Sequence, residues 1–298
     1  MMFALVACTA VLALAGCGSI GSPARAPGLQ VVAAERAWGS IATTLGGRYA
    51  TVTSIISNPA VDPHSYEAEA SDARAFAQAR VAIVNGLGYD AWATQLLAAD
   101  TPGGRTTINV GTTLGLATGA NPHRWYSPQD VIRVSAAITS ALVRAAPQHR
   151  RYFTQRERVF VDSELGPYFA AIRLIRTRWA GTEIGASETI ALPMATALGL
   201  RVATPGRLMR AVSDGAEISS ADLATAQNQI AHHQIRVWIL NPQNSIPAIS
   251  QLTDDARAAG IPVVVMTETP SPASATFGAW QSGQLASLER ALTATGRQ

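Results

Sequence analysis

Short apolar runs alternate with amphipathic stretches through the first third of the chain. Leu29–Ala34 reads as a strand, Glu35–Leu45 as a helix stopped by Gly46-Gly47, and Tyr49–Ile56 as a second strand. A helix is predicted over Ser71–Ala79, then a buried strand Val81–Val84 ending at Asn85-Gly86, a helix Tyr89–Ala99 and a strand Thr106–Val110. Strands spaced by helices in this way imply βα units and a mostly parallel sheet, in which ligands sit past the carboxyl ends of strands. His64 and Asn85-Gly86 both follow predicted strands.

The pattern then turns helical. Pro128–Ala145 predicts one helix, stopped near Pro147, and Gln148–Trp179 a second, long enough to cross between two lobes, with a break expected near Gly166-Pro167. After it the βα rhythm resumes. Strands are expected at Glu183–Ala186, from Val202, and at Val237–Leu240 and Pro262–Met266, and helices at Thr189–Leu198, Ser220–His232, Ile246–Ala259 and Phe277–Ala294. The fold class read from this is α/β, with a lobe over 29–125, a helical segment over 126–180 and a second lobe over 181–298.

The start of the chain carries a different signal. Met2–Ala15 is an almost unbroken apolar run, too short for an ordinary transmembrane helix, and Leu14-Ala15-Gly16-Cys17 has the form of a bacterial lipobox. Residues 1–17 are therefore expected to be a lipoprotein signal with Cys17 as the lipidated residue, and 18–28 a Gly/Ser/Pro/Ala tether to an extracytoplasmic, membrane-anchored domain. The uncharged Met1-Met2-Phe3 does not fit a signal's basic n-region, and a start further upstream accounts for it. The only other cysteine, Cys8, lies inside the signal, so the mature domain has no disulfide, thiol nucleophile or zinc–cysteine site.

Composition narrows the classes further. Every one of the 23 basic residues is arginine, and the chain is rich in alanine, which inflates helix propensity and weakens helix assignments made on propensity alone. A net charge of +3 from scattered arginines gives no basic stripe, so nucleic acid is not expected as a partner.

Five histidines are present. His64, in Asp62-Pro63-His64-Ser65-Tyr66, and His123, in Asn121-Pro122-His123-Arg124-Trp125, each follow a proline and precede an aromatic residue two positions on. Proline stiffens the loop, and two stiff loops each presenting an imidazole suit a preformed metal site. His149, beside Arg150 and Arg151, and His232-His233, near a helix end, read as solvated or capping residues. Glu188 opens a helix, where the dipole alone favours a carboxylate, and Glu268 follows an apolar strand; either is an ordinary residue by that reading.

Several segments in order, DPHSYE, ARVAIVNGLGYDAW, NPHRWYSPQDV, ASETIALPMATALGL, VWILNPQNS and GIPVVVMTETPSP, resemble the metal-specific solute-binding proteins of zinc and manganese ABC importers over nearly the whole mature chain. The resemblance implies two α/β lobes joined by one long rigid helix, with a divalent metal in the cleft. It implies a monomer that delivers its ion to a membrane permease and its ATPase. By position its ligands fall on His64, His123, Glu188 and Glu268; the last departs from the aspartate usual there. Asp62, Tyr66, Asn85 and Trp125 are the candidates for holding those ligands in place. Two imidazoles with two carboxylates leave Mn2+ and Zn2+ both open, with manganese the first expectation: carboxylate suits manganese, and the resemblance gives manganese importers a glutamate at the Glu188 position where zinc importers usually have histidine, whereas the Irving–Williams order favours zinc. The histidine-rich acidic loop of many zinc-binding relatives is missing between Ala98 and Asn121.

Three other readings compete with this one. A secreted metal-dependent hydrolase using His64, His123 and Glu188 would need an open coordination position and a general base, and the chain has no HExxH pair and no GxSxG elbow. A binder of a metal chelate or small organic solute would need no paired Pro-His loops. Cell adhesion, which relatives also carry, finds no independent support in the sequence.

Overall fold

The computed structural model describes residues 28–100 and 103–295; Cys17, the signal segment and all but the last residue of the expected tether lie outside them. Strands β1 (Leu29–Glu35), β2 (Ala50–Ile56), β3 (Val81–Val84) and β4 (Thr106–Asn109) form a parallel sheet in the order β2-β1-β3-β4. Strands β5 (Glu183–Ala186), β6 (Arg201–Val202), β7 (Trp238–Leu240) and β8 (Val263–Val265) form a second parallel sheet in the order β6-β5-β7-β8. Both sheets repeat one design, with the first strand of the lobe inside and its successor at the edge.

Central strands β1 and β3 are apolar almost throughout because helices cover both sheet faces, whereas edge strand β2 alternates exposed and part-buried residues. Helices α1 (Arg36–Gly46), α2 (Ala70–Gln78), α3 (Ala91–Ala99) and α4 (Val110–Leu114) belong to the first lobe. Helices α5 (Pro128–Ala145), α6 (Arg150–Val159) and α7 (Gly166–Trp179) make up the intervening helical segment. The second lobe carries α8 (Leu192–Leu198), α9 (Gly206–Ser213), α10 (Ser220–Ala231), α11 (Pro247–Ala258) and α12 (Phe277–Ala294). One apolar core runs continuously from Val31, Trp38 and Ile83 in the first lobe, through Val134, Ile138 and Tyr168 in the helical segment, to Ile184, Met194 and Leu288 in the second.

Three departures from the sequence reading have physical causes. The expected long helix is broken one turn before Gly166-Pro167: Phe160–Glu164 widens into a π turn, and the Leu165 N–H donates to Phe160 O at 2.9 Å. Pro167 has no N–H and its ring would clash with the carbonyl of residue 163, so the wider turn relieves both demands. The Cβ of any residue replacing Gly278 would come within 2.8 Å of Glu164 O, so this glycine is what lets α12 approach the break. Second, Thr189–Ala191 forms a 3₁₀ turn before α8 starts at Leu192, with the Glu188 side chain capping it. Third, the strand opening at Val202 shrinks to Arg201–Val202 and α9 follows directly, a helix the sequence reading missed.

Candidate metal centre

Loops after the carboxyl ends of strands from both sheets meet between the lobes. His64 sits in a 3₁₀ turn, Pro63–Ser65, whose cap is Asp62: its Oδ1 accepts the His64 backbone N–H at 2.9 Å. His123 leads into a second such turn, Arg124–Tyr126. Glu188 and Glu268 enter from the second lobe, just past β5 and β8. The two imidazole rings lie 5.7 Å apart, edge to face.

Glu268 Oε2 stands 3.5 Å from His64 Nε2 and 3.6 Å from His123 Nε2, and Glu188 Oε2 stands 3.9 Å from His123 Nε2. Among the described residues, donor atoms of His64, His123 and Glu268 all fall within 4.8 Å of one another. His123, Glu188 and Glu268 are essentially sealed from solvent, while the His64 side chain keeps 19% of its surface exposed at the rim.

Neither buried Nε2 has a hydrogen-bond partner. For His123 the tautomer follows from its neighbours. The Asn121 Nδ2 donates to Thr189 O at 2.8 Å, which turns Oδ1 toward His123, where it accepts the backbone N–H at 3.0 Å and faces Nδ1 at 3.1 Å. The ring therefore carries its hydrogen on Nδ1 and aims the Nε2 lone pair at the carboxylates. Two buried imidazole nitrogens without partners, facing two buried carboxylates, are costly in isolation and are matched by a cation that draws on all four groups.

Electrostatics agree with this. Burial alone would lower the His123 pKa, but the Glu188 and Glu268 carboxylates overcome it and hold the imidazole above its ordinary value. Burial would raise Glu268, yet the close approach and charge of His123, then the charge of His64 and the bond from Tyr89, bring it down to about 2. The cluster thus favours a positive charge beside its two carboxylates.

The carboxylates are held by a polar frame. Glu268 Oε2 accepts from the Tyr89 hydroxyl, a bond that crosses from one lobe to the other, and its backbone N–H donates to Gln243 Oε1 at 2.7 Å. Glu188 Oε2 accepts from Ser213 Oγ at 2.7 Å and from Ile190 N–H at 3.2 Å. The Asn241 Nδ2 reaches Glu188 Oε1 at 2.9 Å and Glu268 Oε1 at 2.7 Å. Gln243 Nε2 also donates across the cleft to Val61 O at 2.9 Å.

The four supporting candidates fall in different places. Asn85 accepts from Trp38 Nε1 at 2.8 Å and donates to Pro122 O at 3.0 Å, so it fixes the backbone that leads into His123. Trp125 packs its ring edge-on to His123 at 5.4 Å. Asp62 caps the His64 turn through the backbone. Tyr66 turns away: its hydroxyl donates to Asp72 Oδ2 at 2.8 Å, where Asp72 completes the capping box of α2. The imidazole partner is Asn121, which sequence reasoning passed over, together with Tyr89, Ser213 and Asn241. Asn121 was the most legible of these, since an Asx residue two positions before each histidine (Asp62, Asn121) repeats the same turn.

The comparisons bear on this arrangement. A manganese-binding lipoprotein, MntA, of Halalkalibacterium halodurans is 26% identical over 167 residues, covering 54% of this chain and 55% of that protein. The chain spans about half the length of the curated relatives it matches. Among solved structures, the periplasmic zinc-binding protein TroA from Treponema pallidum superposes with a TM-score of 0.73 at 19% identity, over 89% of this chain and 98% of that one. The solute-binding protein FpvC of Pseudomonas aeruginosa, solved with Ni2+, gives a TM-score of 0.73 at 18% identity, over 91% and 99%. These likenesses establish the two-lobed α/β fold. The model of the family described as zinc-uptake complex component A, periplasmic, matches residues 31–291, and the chain belongs to that family.

Proposed function

We propose that this protein captures a divalent transition-metal ion outside the cytoplasm and hands it to the permease of an ABC importer. His64, His123, Glu188 and Glu268 are the ligands in this reading, and Mn2+ or Zn2+ is the cargo. The observation that carries it is the pair of buried, partnerless imidazole nitrogens facing two buried carboxylates. Two imidazoles and two carboxylates can satisfy a first-row divalent ion and balance its charge, and four protein ligands suit an ion that is held rather than one that activates water.

Family membership supports the role, as do relatives named for manganese, zinc and nickel. Anchoring through a lipid at Cys17 fits the lipobox and the description of MntA as a lipoprotein. Among the described residues no helix is long and apolar enough to cross a membrane. The domain, about 29–125 and 181–298 as lobes with 126–180 between them, acts as a monomer in this reading, with the permease and its ATPase as partners.

The test is metal-resolved mass analysis of the domain from Gly18 onward, purified without a metal-binding tag and titrated with manganese and zinc. One ion per chain, bound much more weakly in His64→Ala and His123→Ala, is the expected result. No bound ion under any condition overturns the proposal.

A further inference from the structure

The loop between β3 and α3 carries supports for both halves of the metal centre. Its Asn85 Nδ2 donates to Pro122 O, ahead of His123, and its Tyr89 hydroxyl donates to Glu268 Oε2. The loop is also strained. Gly86, Leu87 and Gly88 stand in succession at φ 70°, 61° and 92°, in the left-handed region that a leucine seldom enters. Such a conformation persists only where its surroundings hold it. Asp90 does so: it is 1% exposed, its Oδ2 accepts the Asn85 N–H at 2.6 Å and its Oδ1 accepts the Gly86 N–H at 2.7 Å.

Against Asp90 lies Glu35, the last residue of β1 and 3% exposed. Neither of its oxygens has an N–H or O–H donor among the described residues. A carboxylate can only accept, so two ionised carboxylates here would have no hydrogen between them, and a buried anion without donors is costly. Asp90 is the ionised partner: burial raises it, but the bonds it accepts from Glu35, Gly86 and Asn85 all pull it down. The hydrogen between the two therefore belongs to Glu35. Burial, then the charge of Asp90, pushes the Glu35 carboxyl well above its usual range, and Glu268 in the second lobe acts in the same direction. Tyr89 is held neutral, and Arg36, next in the chain, directs its Nη2 to Ala273 O.

We propose that Glu35 is a positioning residue for metal capture: its un-ionised carboxyl donates to Asp90, and through Asp90 it holds the strained loop 85–90 that presents Asn85 to the His123 turn and Tyr89 to Glu268. The consequence for affinity rests on the metal-capture reading above; the proton on Glu35 does not.

Two measurements on the full mature domain test this. At neutral pH, the infrared spectrum of the unaltered metal-free protein minus that of Glu35→Gln should show the carbonyl band of an un-ionised carboxylic acid; a difference spectrum without that band would overturn the inference. Glutamine keeps a donor for Asp90 and leucine does not. Glu35→Gln should therefore keep the zinc and manganese affinity of the unaltered chain, and Glu35→Leu should lose about tenfold, the low end for a group that supports a ligand. A folded Glu35→Leu protein that binds as tightly as Glu35→Gln would overturn the inference as well. If Glu35→Leu fails to fold, the infrared band decides alone. Failure of the underlying reading looks different: the unaltered protein binds no ion, while the infrared band is present.

Discussion

Replacing His64 by alanine separates ligation from folding more cleanly than any other change at the centre. Its side chain is at the rim, with 19% of its surface exposed, and its Nε2 makes no hydrogen bond. Alanine there opens toward clefts that His64 already lines, so the metal-free variant should lose no more than about 1 kcal/mol. Metal binding, by contrast, adds stability by mass action. At a free ion concentration 1,000-fold over Kd the gain is about 4 kcal/mol. With ~2–4 °C per kcal/mol for a chain of this size, the unaltered protein should melt ~8–16 °C higher when loaded. A ligand should matter at least as much as a supporting group, whose loss costs up to about 100-fold in affinity. The same metal concentration then stands about 10-fold over Kd and is worth about 1.4 kcal/mol, or ~3–6 °C. The assay is thermal melting with and without a fixed zinc or manganese concentration. A His64→Ala protein whose metal-induced shift equals that of the unaltered chain would refute the site.

Other perturbations have equally definite signs. His123→Ala removes a fully buried ring and its attraction to two buried carboxylates, so the metal-free protein itself should lose about 3–5 kcal/mol, read as a lower melting temperature even in chelator. His123 is raised in the fold, so its contribution is complete below about pH 6.5 and is lost as pH rises through the raised value. Glu268 is lowered to about 2, so its contribution is present above its ordinary value and lost as pH falls toward about 2. Metal competes with the His123 proton, so metal affinity, followed by titration from pH 5 upward, should rise with pH where metal-free stability falls. Glu35 is buried with no donor to either oxygen and faces Asp90, which already accepts from Asn85 N at 2.6 Å and Gly86 N at 2.7 Å. Burial, with Asp90 next to it, lifts Glu35 well above the carboxylate range, so the unfolded chain ionises above about pH 4.5 and the folded one does not. Glu35→Gln should therefore raise the neutral-pH melting temperature of the metal-free protein and flatten its decline with pH. Gly278→Ala should cost about 1–3 kcal/mol in a denaturant melt by pushing α12 off the Glu164 carbonyl.

What could be read in the sequence follows from how local each cause is. Strands such as Val81–Val84 and helices such as Pro128–Ala145 and Phe277–Ala294 are set by runs of apolar residues and by a proline or a cap at the start, and the structure forms them at the positions expected. The Pro-His turns were legible for the same reason. Helix α9 was not, because Gly206–Ser213 begins directly after an edge strand of two residues and has no strong N-cap in its sequence. Tyr89 and Asn241 lie in segments that carry the resemblance, but nothing local to them, or to Ser213, marks them as partners of the two carboxylates. Ser213 is 25 residues from Glu188, and Tyr89 is 179 from Glu268. Folding of the second lobe brings Ser213 and Asn241 to the carboxylates, and only the packing of the two lobes brings Tyr89 there.

That division of labour between the lobes also bears on release. The imidazoles come from the first lobe and the carboxylates from the second, so any motion that parts the lobes splits the donor set into a neutral pair and an anionic pair. Among the described residues, the hydrogen bonds it must break include Tyr89 to Glu268, Gln243 to Val61, Asn121 to Thr189, Arg36 to Ala273 and the contact of Thr189 Oγ1 with His123 Nδ1. Losing Asn121 from Thr189 also frees the amide that fixes the His123 tautomer, so the ring loses its orientation at the moment it loses the ion. The carboxylates, in contrast, stay clamped to each other through Asn241 within the second lobe. In the proposed role, opening therefore weakens the imidazole half of the site first and leaves the ion on two carboxylates open to water and to whatever ligand the permease presents.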